Sequence, residues 1–160
     1  MKKILSMLLT LCMITVFTTG CGAQTDSAAP VIELRIGDPV MTAGNTEQEI
    51  DPGRGTVPVI ENGRTLLPVR AVVEAMGGAV AWDAETQTAV LAKGDTIILL
   101  MNGSGTAFLN ETAHTLDAVP VIMNGRTMLP IRFIAEGFGY EVIWDGDTQT
   151  VTLTPGEALQ

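Results

Sequence analysis

From Val57 onward the apolar positions follow two alternating rhythms, and the same succession occurs twice. In the first pass VPVI and RTLL are β-prone runs split by Glu61-Asn62-Gly63; in the second, VPVI and RTML are split by Met123-Asn124-Gly125. Asn-Gly between such runs predicts a hairpin closed by a type I′ turn, because both residues tolerate positive φ. The arginine after each turn reads as a solvated strand residue. Pro68 and Pro130 cannot continue a central strand but suit the first turn of a helix. Behind Pro68, Val69, Val72, Val73 and Met76 recur at helical spacing until Gly77-Gly78. Behind Pro130, Ile131, Ile134, Ala135 and Phe138 do the same until Gly139. Helices this short need a sheet to pack on. The period then falls to two, with Val80 and Trp82 on one strand face and Val142 and Trp144 on one face of the matching strand. Residues 83–87 and 145–149 read as turns before the return strands TAVLA and TVTLT, and Lys93-Gly94-Asp95 turns the chain into TIILLM.

The nonapeptides NGRTLLPVR and NGRTMLPIR lie 62 positions apart, and the match runs from Val57 and Val119 to Leu91 and Leu153 without a gap. Internal repetition is a direct statement about architecture. The front halves align more loosely, with Ile32, Leu34 and Ile36 set against Ile97, Leu99 and Met101 and three extra residues near IDPGRG in the first copy. The expectation is an α+β fold of two repeated units, 31–92 and 93–155, each a twisted antiparallel sheet of about five strands wrapped on one short helix. Trp82 and Trp144, the largest apolar residues of their units, are expected to cover the helices, each indole N–H finding a partner; a sugar-stacking role is the alternative. Arg70 and Arg132 oppose the helix dipole, so helix stability does not explain them. They are expected to pin each helix start to its own sheet, through carbonyls or through Asp83 and Asp145. On this reading Asn62, Gly63, Pro68, Arg70 and Trp82, with Asn124, Gly125, Pro130, Arg132 and Trp144, are structural motif residues.

The first thirty residues change the picture from fold to address. Lys2 and Lys3 precede an apolar run from Ile4 to Phe17, too short to span a bilayer and laid out as a secretory signal over 1–20. The run ends in Thr19-Gly20-Cys21, which resembles a bacterial lipobox, with Thr18 where that pattern usually has Leu. The resemblance implies lipid attachment at Cys21 and a membrane anchor on the outer face of the cytoplasmic membrane; plain secretion is the alternative. Cys12 lies in the leader, so only Cys21 is left to explain, and no internal disulfide is expected. Residues 21–30 read as a flexible tether and 156–160 as a tail. Loss of Lys2 and Lys3 leaves seven basic residues against eighteen acidic ones, a net charge of −11. Such a surface repels phosphate backbones, which argues against nucleic acid.

NGRTxLPxR, a short apolar helix ending in Gly, and V-x-W-D-x-x-T-x-T-V together resemble the stalk domain at the N-terminus of some copper amine oxidases. The resemblance covers Val31 to about Thr154 and implies a noncatalytic module with no cofactor. Amine oxidase chemistry needs a tyrosine-derived quinone and several histidines on copper, whereas His114 and Tyr140 are the one histidine and one tyrosine here. Met41, Met76, Met101, Met123 and Met128 are not clustered like ligands, so no metal is expected. No nucleophile has an evident base. Asp145 with Asp147, and Asp83 with Glu85, fit turns better than a catalytic pair. The expected function is a noncatalytic cell-surface lipoprotein, an envelope-associated binding or spacer module contacting wall polymer or another envelope protein. The alternatives are an inhibitor or regulator of another exported protein, or a small exported hydrolase using paired carboxylates.

Overall fold

Tight turns dictate the order of the strands. In the computed structural model, which describes residues 29–156, the elements run β1 (Ile32–Arg35), β2 (Val40–Ala43), β3 (Thr46–Glu49), β4 (Val59–Glu61), β5 (Arg64–Leu67), α1 (Arg70–Ala75), β6 (Ala79–Asp83) and β7 (Thr88–Lys93). They continue as β8 (Thr96–Met101), β9 (Thr106–Leu109), β10 (Thr112–Thr115), β11 (Val121–Met123), β12 (Arg126–Pro130), α2 (Ile131–Gly137), β13 (Tyr140–Asp145) and β14 (Thr150–Pro155). The leader, Cys21 and residues 157–160 lie outside the described residues, as does the tether as far as residue 28.

Both hairpins close as expected: Asn62 and Gly63 have φ of 50° and 74°, Asn124 and Gly125 of 51° and 73°. Those values are the left-handed pair that a type I′ turn requires. Each proline stands just outside its helix rather than in the first turn. Pro130 ends β12 and is the N-cap residue of α2, while Val69 separates Pro68 from α1. The helices have six and seven residues and lie on β6 and β13, the strands that follow them.

Antiparallel sheets dominate, with the two helices against them, an α+β arrangement. The sheets number three, in the orders β13-β14-β1-β2-β3, β10-β9-β8-β7-β6 and β11-β12-β5-β4. Each draws strands from both halves of the sequence, which corrects the expectation of one self-contained sheet per half. The short turn at Gly94-Asp95 forces β8 to pair with β7, Lys93 opposite Thr96. The three front strands of the second half therefore extend the return strands of the first. The front strands of the first half pair with β14 instead, Ile32 opposite Leu153 and Leu34 opposite Val151. The two nonapeptides meet at β5 and β12, where Leu67 faces Leu129 and Leu66 faces Pro130.

The register also corrects the front-half alignment. Ile98 and Leu100 are the buried residues of β8, opposite Leu91 and Ala89, whereas Ile97 and Met101 are exposed. The true counterparts of Ile32 and Leu34 are therefore Ile98 and Leu100, an offset of 66 positions, because a slip of one residue turns a strand's side chains to the other face. Six residues separate Ile50 from Val57 and two separate Leu116 from Val119, so the first copy has four extra residues, not three.

One core spans both halves, with Ile32, Leu91, Ile98, Leu153, Val72 and Ile134 fully buried in it. Each such side chain contributes roughly 2 kcal/mol. A smaller cluster of Leu66, Met128 and Ala118 lies under the four-stranded sheet. Met76 is a core residue, as its helical spacing suggests. Lys93 joins the two five-stranded sheets: its ammonium sits 4.8 Å from the centre of the Tyr140 ring and donates to the Phe138 carbonyl at 3.1 Å.

Candidate functional site

Two grooves open beside the unpaired strand edges. Groove 1, about 1070 Å³, is lined by Trp82 and Val80 on β6, Thr46 and Gln48 on β3, Arg70 and Glu74 on α1, and Arg126 of β12. Groove 2, about 660 Å³, is lined by Trp144 and Val142 on β13, Thr115 on β10, Arg132 and Glu136 on α2, and Arg64 of β5. Apart from the β3 and β10 contributions, these are matched positions of the two copies. Each groove thus takes one wall from its own half and a hairpin arginine from the other.

Trp82 and Trp144 are each 40% exposed, so neither is the buried cover expected of it. β6 and β13 are edge strands, and no neighbouring strand covers the free flank of the indole. Among the described residues neither indole N–H has a hydrogen-bond partner. The tryptophans are groove walls.

The floors differ. Groove 1 has Ala71 and Ala89 among its lining residues, where groove 2 has Phe133 and Val151. Phe133 packs its ring against His114, centroids 5.7 Å apart and planes tilted by 57°. The region around it is full: a Cβ on Gly137 would come within 2.8 Å of Ile98 Cδ1 and 3.6 Å of Leu109 Cδ1. Position 75, the counterpart of Gly137, carries an alanine, and the counterpart of Leu109 is Ala43. Small side chains leave groove 1 the larger; bulkier ones narrow groove 2.

The hairpin arginines hold the two halves together. Arg126 donates through Nε to Asp51 Oδ2 at 2.7 Å and through Nη2 to Oδ1 at 2.9 Å, and the Thr56 hydroxyl adds a third bond at 2.6 Å. Asp51 is buried, and the Arg126 guanidinium holds its carboxyl below the ordinary value against the opposing effect of burial. The matched pair is Arg64 and Asp117, but there Nε and Nη2 both donate to the single oxygen Oδ2, at 3.2 Å and 3.1 Å, and both side chains are exposed. A fork around a desolvated carboxylate is a strong interaction, whereas an exposed pair adds little. Reading these arginines as solvated strand residues missed the clamps. The signal was present in Asp51 and Asp117, each directly behind a matched apolar residue, Ile50 and Leu116.

Arg70 and Arg132 do not pin the helices to the sheets. Arg132 lies 3.6 Å from Glu136, both exposed, and Arg70 has no ion pair among the described residues. Asp83 and Asp145 serve their own turns instead. Asp83 accepts from the Thr86 hydroxyl at 2.7 Å and the Glu85 N–H at 2.9 Å, and Asp145 accepts from the Asp147 and Thr148 N–H groups. These bonds, the threonine side chain first, hold both carboxyls below the usual range. A general acid needs the opposite shift. Burial raises the Tyr140 hydroxyl, which is enclosed without a hydrogen-bond partner.

A protein of Brevibacillus choshinensis named protease inhibitor is 31% identical over 153 residues, which cover 94% of this chain and 43% of that protein. The chain thus spans less than half the length of that relative. A family model described as copper amine oxidase N-terminal domain matches residues 48–153. That match takes in both nonapeptides, both helices and both tryptophan strands, and the chain belongs to the copper amine oxidase N-terminal domain family.

Proposed function

We propose that this chain is a noncatalytic binding module of the cell envelope, carried on a lipid at Cys21, and that groove 1 takes a segment of another exported protein. One observation carries the reading: groove 1 is the wider of the two, with Ala71 in its lining at the position where Phe133 narrows groove 2. Phe133 in the second groove supports an aromatic or large aliphatic side chain of the partner next to the tryptophan of the first. β3 and β6 border groove 1 as edge strands, and their free backbone groups suit an extended peptide. Membership of a family whose domain is noncatalytic supports the absence of catalysis. So does the commitment of Asp83 and Asp145 to turns.

The inhibitor reading is favoured by the name of the Brevibacillus relative. A groove that holds an extended segment of an exported protease would act as a regulator of it.

Sedimentation with purified peptidoglycan, compared with capture from intact cell envelope, tests the proposal. Capture of one dominant protein by the native chain, lost in Ala71→Phe, is the expected result, and inhibition of an exported protease by the native chain alone would identify the partner class. Sedimentation with glycan, equal for the native chain and Ala71→Phe, would overturn it in favour of a wall binder.

A further inference from the structure

The two five-stranded sheets bury similar inner faces but present different faces to solvent. Across the sheet of β6 to β10, Ala81, Val90, Leu99, Phe108 and Ala113 are directly paired, each opposite the next. They form one apolar row over five strands on the face turned away from the core. Ile97 and Met101 flank the row at 49% and 48% exposure, and Phe108 within it is 42% exposed. Among the outward positions of these strands only Asp83, at a corner, is charged. The matched row of the other sheet reads Ile143, Thr152, Glu33, Thr42 and Glu47, with Arg35 and Glu141 beside it. Two sheets with one pattern inside therefore differ outside, and only one is dressed for water.

We infer that the outward face of the β6–β10 sheet is a self-association surface that seats the same face of a second copy of this chain. The charge distribution selects that occupant. A chain of net charge −9 repels its own copies through most of its surface, and this face is where two copies meet without opposing charges. Two such faces pack as aligned sheets about 10 Å apart, the Leu99–Phe108 rows crossing at a shallow angle. Five strands at about 4.8 Å spacing, each about five residues long, give roughly 400 Å² per copy. That is about half of what a standard stable interface buries per partner, so the dimer is weak and reversible. The inference does not rest on groove 1, with whose lining this face shares Ala81 of β6.

Sedimentation velocity from micromolar to millimolar chain tests it, with the Leu99→Glu/Phe108→Thr double variant and the milder Val90→Thr. Each replacement is the residue already present at the matched position of the other sheet, so the fold tolerates it; circular dichroism verifies that. Native chain should form a dimer that tightens as salt screens the acidic surface, with at least tenfold weaker association in the double variant and a smaller loss in Val90→Thr. A native chain monomeric throughout, a dimer indifferent to these changes, or a face that instead captures a different envelope protein would overturn the inference.

Discussion

Groove 1 and groove 2 share a tryptophan wall, an arginine and glutamate one helical turn apart, and a hairpin arginine from the opposite half. They differ in Ala71 against Phe133 and in Ala89 against Val151. The clamps beside them differ in the reverse sense. The wider groove has the buried, three-bond carboxylate of Asp51, and the narrower groove has the exposed pair of Arg64 and Asp117. In groove 2 apolar packing joins the walls, so its ion pair has little left to do. In groove 1 the alanines give up that packing, and the Asp51 fork ties the first half to the β12 hairpin beside the groove. One duplicated pattern has thus given a narrower and a wider groove.

The largest expected effect comes from widening groove 2. Phe133→Ala removes a half-buried ring and should lower stability by about 2 kcal/mol in chemical denaturation, while bringing groove 2 closer to the shape of the first. A loss below about 0.5 kcal/mol would mean the ring is not a filler. Asp51→Ala comes next, at roughly 1.5 kcal/mol for charge-assisted bonds to a buried acceptor. Asp117→Ala should stay within about 0.5 kcal/mol, and equal losses would break the comparison of the clamps.

The buried clamp also predicts a pH dependence. The folded-state pKa of Asp51 lies below its ordinary 3.8, so its contribution is fully present above that value and is lost as pH falls through the lower, folded one. Acid unfolding curves of the native chain and Asp51→Ala should therefore converge at low pH. A smaller change is expected for Ala71→Phe, which should alter stability by less than about 1 kcal/mol while abolishing partner capture. The smallest is spectroscopic. Partner binding should shift the emission of Trp82, read in Trp144→Phe, and leave that of Trp144, read in Trp82→Phe, unchanged.

Local chemistry was readable wherever it was decided within a few residues. The Asn-Gly turns, the helices behind Pro68 and Pro130 and the buried stripes of Val72, Val73, Ile134 and Ala135 followed from turn geometry and periodicity. The tryptophans misled because size predicts burial only on average, and an indole on an edge strand has a flank that no strand covers. Arg64 and Arg126 misled because their partners lie 53 and 75 positions away, outside the window in which spacing carries information.

By itself, then, the order of residues settled the Asn-Gly hairpins, the two helices, the tryptophan strands with their return strands, and the family to which the chain belongs. The β2–β3 and β9–β10 hairpins, which bring each half to seven strands instead of about five, were not legible in it. Only the folded chain decided that β1 closes on β14, that the halves exchange their front strands, and that one groove is wider than the other. The physical reason is that turns and helices are set by neighbours a few bonds away. Strand partnership, by contrast, is settled by which distant apolar faces together exclude the most water.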